Sequence, residues 1–430
     1  MSKPNYLAAG AGERMQYIAH KFNDTTIRFL LRYPGALDPD ILCAATAAVI
    51  GAVDVLHGSF QAGSQSAHWT VNSEYEPGEF FSLAFCDGDP MKPAQGVAVL
   101  PIGHTDKCQM QVTLIQGPED CAVVVRISHL VVDGGDGKYL LNKLAESYRM
   151  ISQQGSAEAL KVKNGSRSAM RAYSELGMGD MMNLIKMPFG GVKTDFPFAD
   201  AGAHGPRRML RCTIPEKTLT AARKKAKAGG ATVNDLLLTA CYRSYAAVTK
   251  REGPMSVSAM MDLRVHCKDG TSEGLANMSG VLTTTLEAGT GVSFAEDLSA
   301  IAAQTRAAKE NPLAGLDGIP MTHVATKTVP MWLLLQVSDI VYSNMSLSLT
   351  NLGNIPCASL EMGGRKPTEG VFVGPLKRKP SVQVGAASFD GTAELTVAGD
   401  FVTGDLSSIQ ALLDGMKTEI ETYLEETKCI

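Results

Sequence analysis

A run of apolar, mostly β-branched residues that leads to a histidine is the feature that most constrains this chain. The run from Cys121 to Ile127 contains one charged residue and predicts a buried strand. Asp133 and two glycines then predict a turn, and the apolar spacing of Lys138 to Leu144 predicts an amphipathic helix. His129 therefore lies where a strand ends and the chain turns into a helix, which is the local unit of an α/β fold.

His129 and Asp133 are the first candidates for chemistry. An imidazole loses its proton near neutral pH, so a histidine held at the end of a strand can take up and return a proton. A carboxylate four residues later, on the returning turn, suits such a group. The His-x-x-x-Asp pattern alone is equally compatible with an ordinary packed histidine and a turn aspartate, so the rest of the chain has to decide.

The stretch from His129 to Gly134 resembles the His-x-x-x-Asp-Gly signature of the CoA-dependent acyltransferase superfamily. This group includes chloramphenicol acetyltransferases, plant BAHD acyltransferases, peptide-synthetase condensation domains, wax-ester synthases and alcohol acetyltransferases. Leu37 to Pro39 before an apolar helix, and Thr232 to Asp235 at another helix start, are similar to further family segments in the same order. Condensation domains carry two adjacent histidines, whereas Ser128 stands in the first place here, which makes a peptide-condensing role less expected.

The resemblance implies the architecture. It predicts an α/β protein with mixed sheets, built as two chloramphenicol acetyltransferase-like lobes with a tunnel between them. We expect residues 1–160 to form the first lobe, 161–206 a linker, and 207–430 the second lobe. A length of 430 residues independently favours two domains over one core.

The resemblance also assigns roles around the turn. His129 is the general base, Asp133 is a structural carboxylate turned away from the substrate, and Gly134 belongs to the same active-site turn. Arg264, after a predicted strand at Met255 to Leu263, is the arginine that would pair with Asp133. A guanidinium can bind a carboxylate through two parallel hydrogen bonds. The alternative for Arg264 is a solvated arginine at a strand end.

Ser348, Thr350 and Asn351 are candidates for contact with the oxyanion or the substrate. Alternation places Ser348 and Thr350 on one face of a predicted strand, and a hydroxyl there could donate to an oxyanion, as a serine does in some relatives. A strand with ordinary polar exposure is the alternative. Gly274 to Gly280 resembles a loop-shaping turn of the family, and no chemical role is expected for it.

Two basic clusters, Arg223 to Lys225 and Lys377 to Lys379, are predicted to be solvated charge on a helix and a hairpin. The alternative is that one of them meets the phosphates of coenzyme A or an acidic carrier protein.

Composition limits the functional class. A net charge of −4 and an isoelectric point near 6.1 argue against a nucleic-acid binder. The apolar run from Ile41 to Val53 is too short to span a bilayer, and Met1 to Asn5 lacks the apolar run of a secretory signal. Nine scattered cysteines without a Cys-x-x-Cys pair fit neither a zinc site nor a disulfide framework, so we expect no metal and a cytoplasmic location.

The predicted function is transfer of an acyl group from acyl-CoA to a hydroxyl or amine of a small-molecule acceptor. Coenzyme A thioester is then a co-substrate, and no permanently bound cofactor is expected. No serine or cysteine stands in a recognisable nucleophile motif, which weighs against an acyl-enzyme. Two alternatives stay open: an enzyme that acts on substrates tethered to an acyl carrier protein, and a non-catalytic binding member of the same fold.

Overall fold

The computed structural model describes residues 5–63, 67–186, 192, 195–267, 274–289, 291–316, 319–342 and 347–426. The strands are β1 Asn5–Ala8, β2 Thr26–Pro34, β3 Gly58–Ala62, β4 Ala67–Val71, β5 Phe81–Phe85, β6 Met110–Gln116, β7 Asp120–Ser128, β8 Arg207–Ile214, β9 Gly253–Asp262, β10 Ser279–Ala288, β11 Leu347–Ile355, β12 Glu369–Val373, β13 Val382–Phe389 and β14 Thr392–Asp400. The helices are α1 Ala11–Ala19, α2 Pro39–Gly51, α3 Met91–Ala98, α4 Gly134–Gln154, α5 Met178–Lys186, α6 Glu216–Ala228, α7 Val233–Thr249, α8 Phe294–Glu310, α9 Ile319–Thr328, α10 Met331–Tyr342 and α11 Leu406–Glu425.

Two mixed sheets form the framework. The first sheet has the strand order β12-β2-β7-β6-β5, in which β5 and β6 are parallel and the other neighbours antiparallel. The second has the order β10-β9-β11-β13-β14-β8, in which β11 runs parallel to both β9 and β13. A small antiparallel sheet, β1-β4-β3, accompanies the first. Mixed sheets agree with the predicted fold class.

The strand that precedes His129 is buried on both faces because β7 lies inside the first sheet. Val123 and Val125 pack in the core beneath α2 and α4, whereas Val124 packs on the opposite face with residues of α3. Alternation along a strand sends successive side chains to opposite faces. This explains why Cys121 to Val125 of β7 are all apolar and do not alternate with polar residues.

Helix α4 is amphipathic, as the sequence predicts, and it begins earlier than the sequence indicated. Leu140, Leu141 and Leu144 pack in the first core, at the spacing of one helix face. The predicted turn at Asp133 and Gly134 is the start of this helix, because Asp133 is its N-cap. The chain therefore passes from β7 into α4 through a very short connection.

Two further helices begin at side chains that cap them. Asp38 caps α2 by accepting hydrogen bonds from the amides of Asp40 and Ile41 at 2.9 and 3.1 Å. Thr232 caps α7 in a reciprocal arrangement with Asp235. Among the described residues, every helix is too short or too polar to cross a membrane.

Strand β12 departs from a simple division of the chain. It comes from residues that the sequence division assigns to the second lobe, yet it pairs with β2 as an edge of the first sheet. Gly370 in β12 lies directly against the ring of Phe389 from β13. The second half of the chain therefore contributes both a strand and packing side chains to the first half.

Gly370→Ala tests this crossing. A Cβ atom at residue 370 would lie 2.3–2.4 Å from ring atoms of Phe389, so we expect unfolding in urea to show a stability loss of about 1–3 kcal/mol, the usual cost of overpacking. Gly96→Ala in α3 is the matched control, because no atom lies within 4 Å of its Cβ position; it should be neutral or stabilising by about 0.5–1 kcal/mol. Equal effects of the two substitutions would contradict the packing described.

Candidate active site

His129 is held by the backbone on the first residue after β7. Its amide donates to the carbonyl of Thr25 at 2.7 Å, so the histidine continues the pairing of β7 with the residues that lead into β2. The amides of Val131 and Val132 both return to the carbonyl of Ser128, at 3.0 and 3.3 Å, and close a tight turn. The imidazole is partly buried, and its backbone has little freedom to move.

The contacts of the imidazole define its tautomer. Nδ1 lies 2.6 Å from the carbonyl oxygen of Val132. A carbonyl can only accept, so Nδ1 carries the proton and donates it, and Nε2 is left with a free lone pair. Among the described residues, none bonds to Nε2. The geometry therefore presents a base at Nε2.

Asn277 is a neighbour of His129 that the sequence analysis missed. Its amide nitrogen lies 3.1 Å from His129 Nδ1 and donates to the His129 carbonyl at 3.2 Å. Since Nδ1 already donates to Val132, the bond to the carbonyl is the productive one. The amide orientation of Asn277 is fixed because its Oδ1 accepts from the amide of Ser279 at 3.1 Å. The expectation that Gly274 to Gly280 serves only to shape a loop is therefore incomplete.

Burial lowers the pKa of His129 below its ordinary value of 6.5. The hydrogen bond to Val132 and the charge of Asp133 act in the opposite direction, and the charge of Lys377 adds to the lowering. A lowered pKa keeps the imidazole neutral near pH 7. The group is consequently in the form that can accept a proton.

Asp133 does not contact the imidazole, because both its oxygens are used elsewhere. Oδ1 accepts from the amide of Asp136 at 2.9 Å, and Oδ2 accepts from Arg264 at 2.7 Å and from the amide of Met278 at 2.8 Å. The residue is 3% exposed. Asp133 thus caps α4 and binds the second half of the chain.

Arg264 joins two buried carboxylates, and its Nη1 also lies 3.0 Å from the exposed carboxylate of Asp262. Its Nη1 lies 2.7 Å from Asp133 and its Nη2 lies 2.8 Å from Asp136. The expected pair of parallel hydrogen bonds to Asp133 alone is wrong. Asp133 and Asp136 are three residues apart at the start of α4, which brings their side chains to the same side of the helix. One guanidinium therefore bridges both and gives each a single nitrogen.

Asp136 completes this network and was not among the predicted site residues. Its Oδ2 also accepts from the amide of Ala276 at 2.9 Å. Burial, and then the charge of Asp133, raise its pKa, and Arg264 opposes that rise. Burial would lower the pKa of Arg264, but the two carboxylates raise it above its ordinary value. The sequence feature that could have identified Asp136 is its position three residues after Asp133 in the same helix.

The two carboxylates also place Asn277. The amide of Ala276 is held by Asp136, and the amide of Met278 by Asp133. Asn277 lies between these two anchored residues and contacts His129. The ion network therefore positions the neighbour of the imidazole without touching the imidazole itself.

Gly134 lies where β11 approaches the turn. A Cβ atom there would come within 2.2 Å of a Leu352 methyl group, so a side chain at Gly134 would displace Leu352. The ammonium of Lys138 donates to the carbonyl of Leu352 at 2.6 Å. Burial lowers the pKa of Lys138, which is consistent with its position between α4 and β11.

Ser348, Thr350 and Asn351 all lie on β11. Leu349 packs in the core of the second lobe, so Ser348 and Thr350 face away from that core. Ser348 is buried and Thr350 partly buried, whereas Asn351 is used locally, because its Oδ1 accepts from the amide of Gly353 at 2.9 Å. Donation from Ser348 or Thr350 to an oxyanion stays a prediction.

Arg167, from the predicted linker, ties the two loops of the site together. Its Nη1 donates to the carbonyl of Leu275 at 2.5 Å and lies 3.4 Å from that of Val131. Its Nη2 bonds to the buried carboxylate of Glu13 at 2.6 Å, and the indole of Trp69 donates to the same oxygen at 3.0 Å. No sequence pattern marked this arginine, because its partners are distant along the chain.

The second basic cluster is only partly solvated, contrary to expectation. Lys379 is buried, and its ammonium contacts Asp405 at 2.5 Å and the carbonyls of Asp200 and Ala203 at 3.0 and 2.8 Å. The physical reason is that a fully paired lysine can be buried at a tolerable cost. In the first cluster, Arg223 and Lys224 are exposed as predicted.

Several solved structures have a fold similar to that of nearly the whole chain. No protein-family model and no curated protein matches the sequence. Polyketide synthase associated protein 5 from Mycobacterium tuberculosis is 14% identical with a TM-score of 0.68 over 97% of this chain and 98% of that one. The first condensation domain of the CDA synthetase is 15% identical, with a TM-score of 0.69 over 97% and 96%. Trichothecene 15-O-acetyltransferase from Fusarium sporotrichioides is 11% identical, with a TM-score of 0.70 over 96% and 95%.

The predicted fold is confirmed by this likeness, which spans nearly the full length of both chains. The tunnel between the lobes stays a prediction, as do the chemical roles of the site residues.

Arg264→Lys tests the bridging ion network. A single ammonium cannot replace both guanidinium nitrogens, so one buried carboxylate loses its partner. We expect a stability loss of about 3–5 kcal/mol in urea unfolding, typical of breaking a buried ion pair. Arg306→Lys is the control, since Arg306 is exposed and bonds to one carbonyl; its effect should stay within about 0.5 kcal/mol. A similar small effect for Arg264→Lys would refute the bridge.

Proposed function

From the two-lobed fold that this chain shares with condensation domains and acyltransferases, we propose that it is an acyltransferase with His129 as its general base. The acyl donor is an acyl-CoA and the acceptor is a hydroxyl or amine of a small molecule. The observation that carries the proposal is the free Nε2 of His129, opposite an Nδ1 that donates to Val132. This is the tautomer that a general base requires.

The acyl group passes directly from the thioester to the acceptor, without a covalent enzyme intermediate. His129 Nε2 takes the proton from the acceptor as its oxygen or nitrogen attacks the thioester carbonyl carbon. The carbon–sulfur bond then breaks, and the departing thiolate recovers the proton from Nε2. The Nδ1 contact with Val132 stays in place throughout, and the carbonyl dipole stabilises the transient imidazolium.

We assign Asp133, Gly134 and Arg264 to the shape of the turn and not to proton transfer. Both oxygens of Asp133 are engaged by Arg264 and backbone amides, so they are unavailable to His129. A donor to the tetrahedral oxyanion is proposed from Ser348 or Thr350 on β11. Thr350 is favoured, because it is only partly buried, whereas Ser348 is buried.

A carrier-protein donor is the second candidate. Its support is that a condensation domain of a synthetase has the same fold at a TM-score of 0.69. Coenzyme A is preferred as the donor because an acetyltransferase is equally similar, with a TM-score of 0.70, and because Ser128 replaces the first histidine of the condensation motif.

The eight cysteines within the described residues are free thiols, which supports a reducing compartment such as the cytoplasm.

His129→Ala tests the base. Thiol release from a panel of acyl-CoAs with hydroxyl and amine acceptors should fall about 10²–10⁴-fold, the usual contribution of a general base, while acyl-CoA binding by calorimetry is retained. Mass spectrometry of the products identifies the acylated acceptor.

His204→Ala is the matched control, because the His204 side chain is 61% exposed and pairs with Asp400 at the surface. It should leave thiol release unchanged. Wild-type rates in folded His129→Ala would overturn the base assignment. Binding without turnover in the wild-type protein would favour a non-catalytic member, and turnover only with carrier-tethered thioesters would favour the second candidate.

The pH dependence of kcat/KM follows from the lowered pKa of His129. The active form is the neutral imidazole, so activity should be constant near pH 7 and fall only below pH 6.5, as the group becomes protonated. Between the lowered pKa of folded His129 and its ordinary value of 6.5, the folded state binds fewer protons than the unfolded chain. The free energy of unfolding should therefore decrease as the pH falls through this range. An acidic limb above pH 6.5 would contradict this reading.

A further inference from the structure

Lys377 lies where the residues before β2, in the first lobe, meet β14 of the second lobe, and we call this place the seam. It follows β12, and its backbone forms one bridge with Asn23, just before β2, and another with Gly399 in β14. Gly374, three residues earlier, lies beside Thr350 of β11. The lysine is therefore attached to the first sheet on one side and to the second on the other.

The same seam leads to His129 through one short segment. The amide of Asp24 donates to the carbonyl of Leu376 at 3.1 Å, and the amide of Leu376 donates back to the Asp24 carboxylate at 3.0 Å. The next residue, Thr25, accepts the amide of His129 at 2.7 Å. Lys377 thus pairs with one end of the segment Asn23 to Thr25, and His129 with the other end. The charge of Lys377 lowers the pKa of the imidazole.

Lys377 is a partly buried residue, and its ammonium reaches solvent and has no partner among the described residues. The nearby carboxylate of Asp24 is committed to Arg28, which contacts both of its oxygens. Burial lowers the pKa of Lys377 to about 8, although Asp24 partly opposes the shift. At pH 7 the group is still mainly charged.

Lys379 provides the contrast two residues along the chain. The side chain of Lys379 is buried, and its ammonium is paired with Asp405 and two carbonyls. An ammonium that has lost part of its hydration and has no counter-charge within the protein can be stabilised by an anion from outside the chain. The surroundings of Lys377 are also cationic, because Arg378 and Arg207 lie exposed close to the same segment and both lower the pKa of His20. The region is suited to an anion.

We propose that Lys377 binds a carboxylate of the substrate beside His129, carried either by the acyl group or by the acceptor. The inference rests on the proposed acyl transfer and deepens it by naming a substrate class, acids rather than neutral alcohols, amines or acyl chains. Lys377 is then a specificity-determining residue, and the substrate supplies the counter-charge that the fold omits.

Chemical labelling tests the anion site without any turnover. Wild-type protein is acetylated with acetic anhydride at pH 8, and the modified lysines are read by peptide mass spectrometry. Millimolar succinate should protect Lys377, whereas 1,4-butanediol, which has the same chain without charge, should not. Lys366 is the matched control, because it is exposed on the same stretch and should be labelled equally in both solutions. Labelling of Lys377 that ignores succinate would overturn the proposal.

Matched substrates then distinguish the two sources of the carboxylate. Thiol release is compared for succinyl-CoA against butyryl-CoA, and, with the better donor, for serine against ethanolamine as acceptor. In one of these pairs the acid should be favoured by about 10- to 100-fold in kcat/KM, the range of a charge-assisted contact. Lys377→Met should abolish that preference, Lys377→Arg should retain most of it, and Lys366→Met should not change it.

Each outcome is decisive. A preference for succinyl-CoA over butyryl-CoA assigns the carboxylate to the acyl group. A preference for serine over ethanolamine assigns it to the acceptor. Equal rates within both pairs would overturn the proposal. Absence of thiol release from every thioester would contradict the proposed function, while the labelling result would still decide the anion site. Lys377→Met should melt no lower than the wild type, since it removes an unpaired charge; a lower melting temperature would indicate a structural role instead.

Discussion

The contact on which the site depends is the bridge from Arg264 to Asp133 and Asp136. It joins the start of α4, in the first half of the chain, to the segment that follows β9 in the second. Three buried charges are tolerated there because each has a partner and several backbone amides complete the bonding. Through those amides the bridge also holds Asn277 against His129, so an interaction that never touches the imidazole determines its surroundings.

In this arrangement the imidazole of His129 has no carboxylate partner among the described residues. In a catalytic dyad the aspartate would accept the Nδ1 proton, whereas here the carbonyl of Val132 takes that role. A neutral dipole supports the imidazolium less than an anion would, and burial lowers the pKa further. The imidazole is therefore held in its neutral form near pH 7, and Asp133 and Asp136 bind Arg264 instead.

Local patterns were sufficient to predict the strand, the turn and the helix around His129, and the resemblance to the acyltransferase superfamily suggested Arg264 as the partner of Asp133. They could not show that Asp136 shares that guanidinium, because Asp136 and Arg264 are far apart in sequence and meet only in the folded chain. Asn277 and Arg167 were missed for the same reason. Neither belongs to a periodic element, and their partners come from another part of the chain. Burial of Lys379 was equally hidden, since its partner Asp405 is supplied by the turn before α11.

Strand β12 has a consequence for how the chain reaches its native state. The first sheet gains its outer strand only from residues 369–373, after the whole of β8 to β11 has been made. During synthesis the edge of β2 therefore waits, with unpaired amides and carbonyls, until most of the chain has left the ribosome. Closing so long a loop is slow and entropically costly. A nascent or truncated chain that lacks β12 would therefore leave this edge of the first sheet open and prone to pair with another copy.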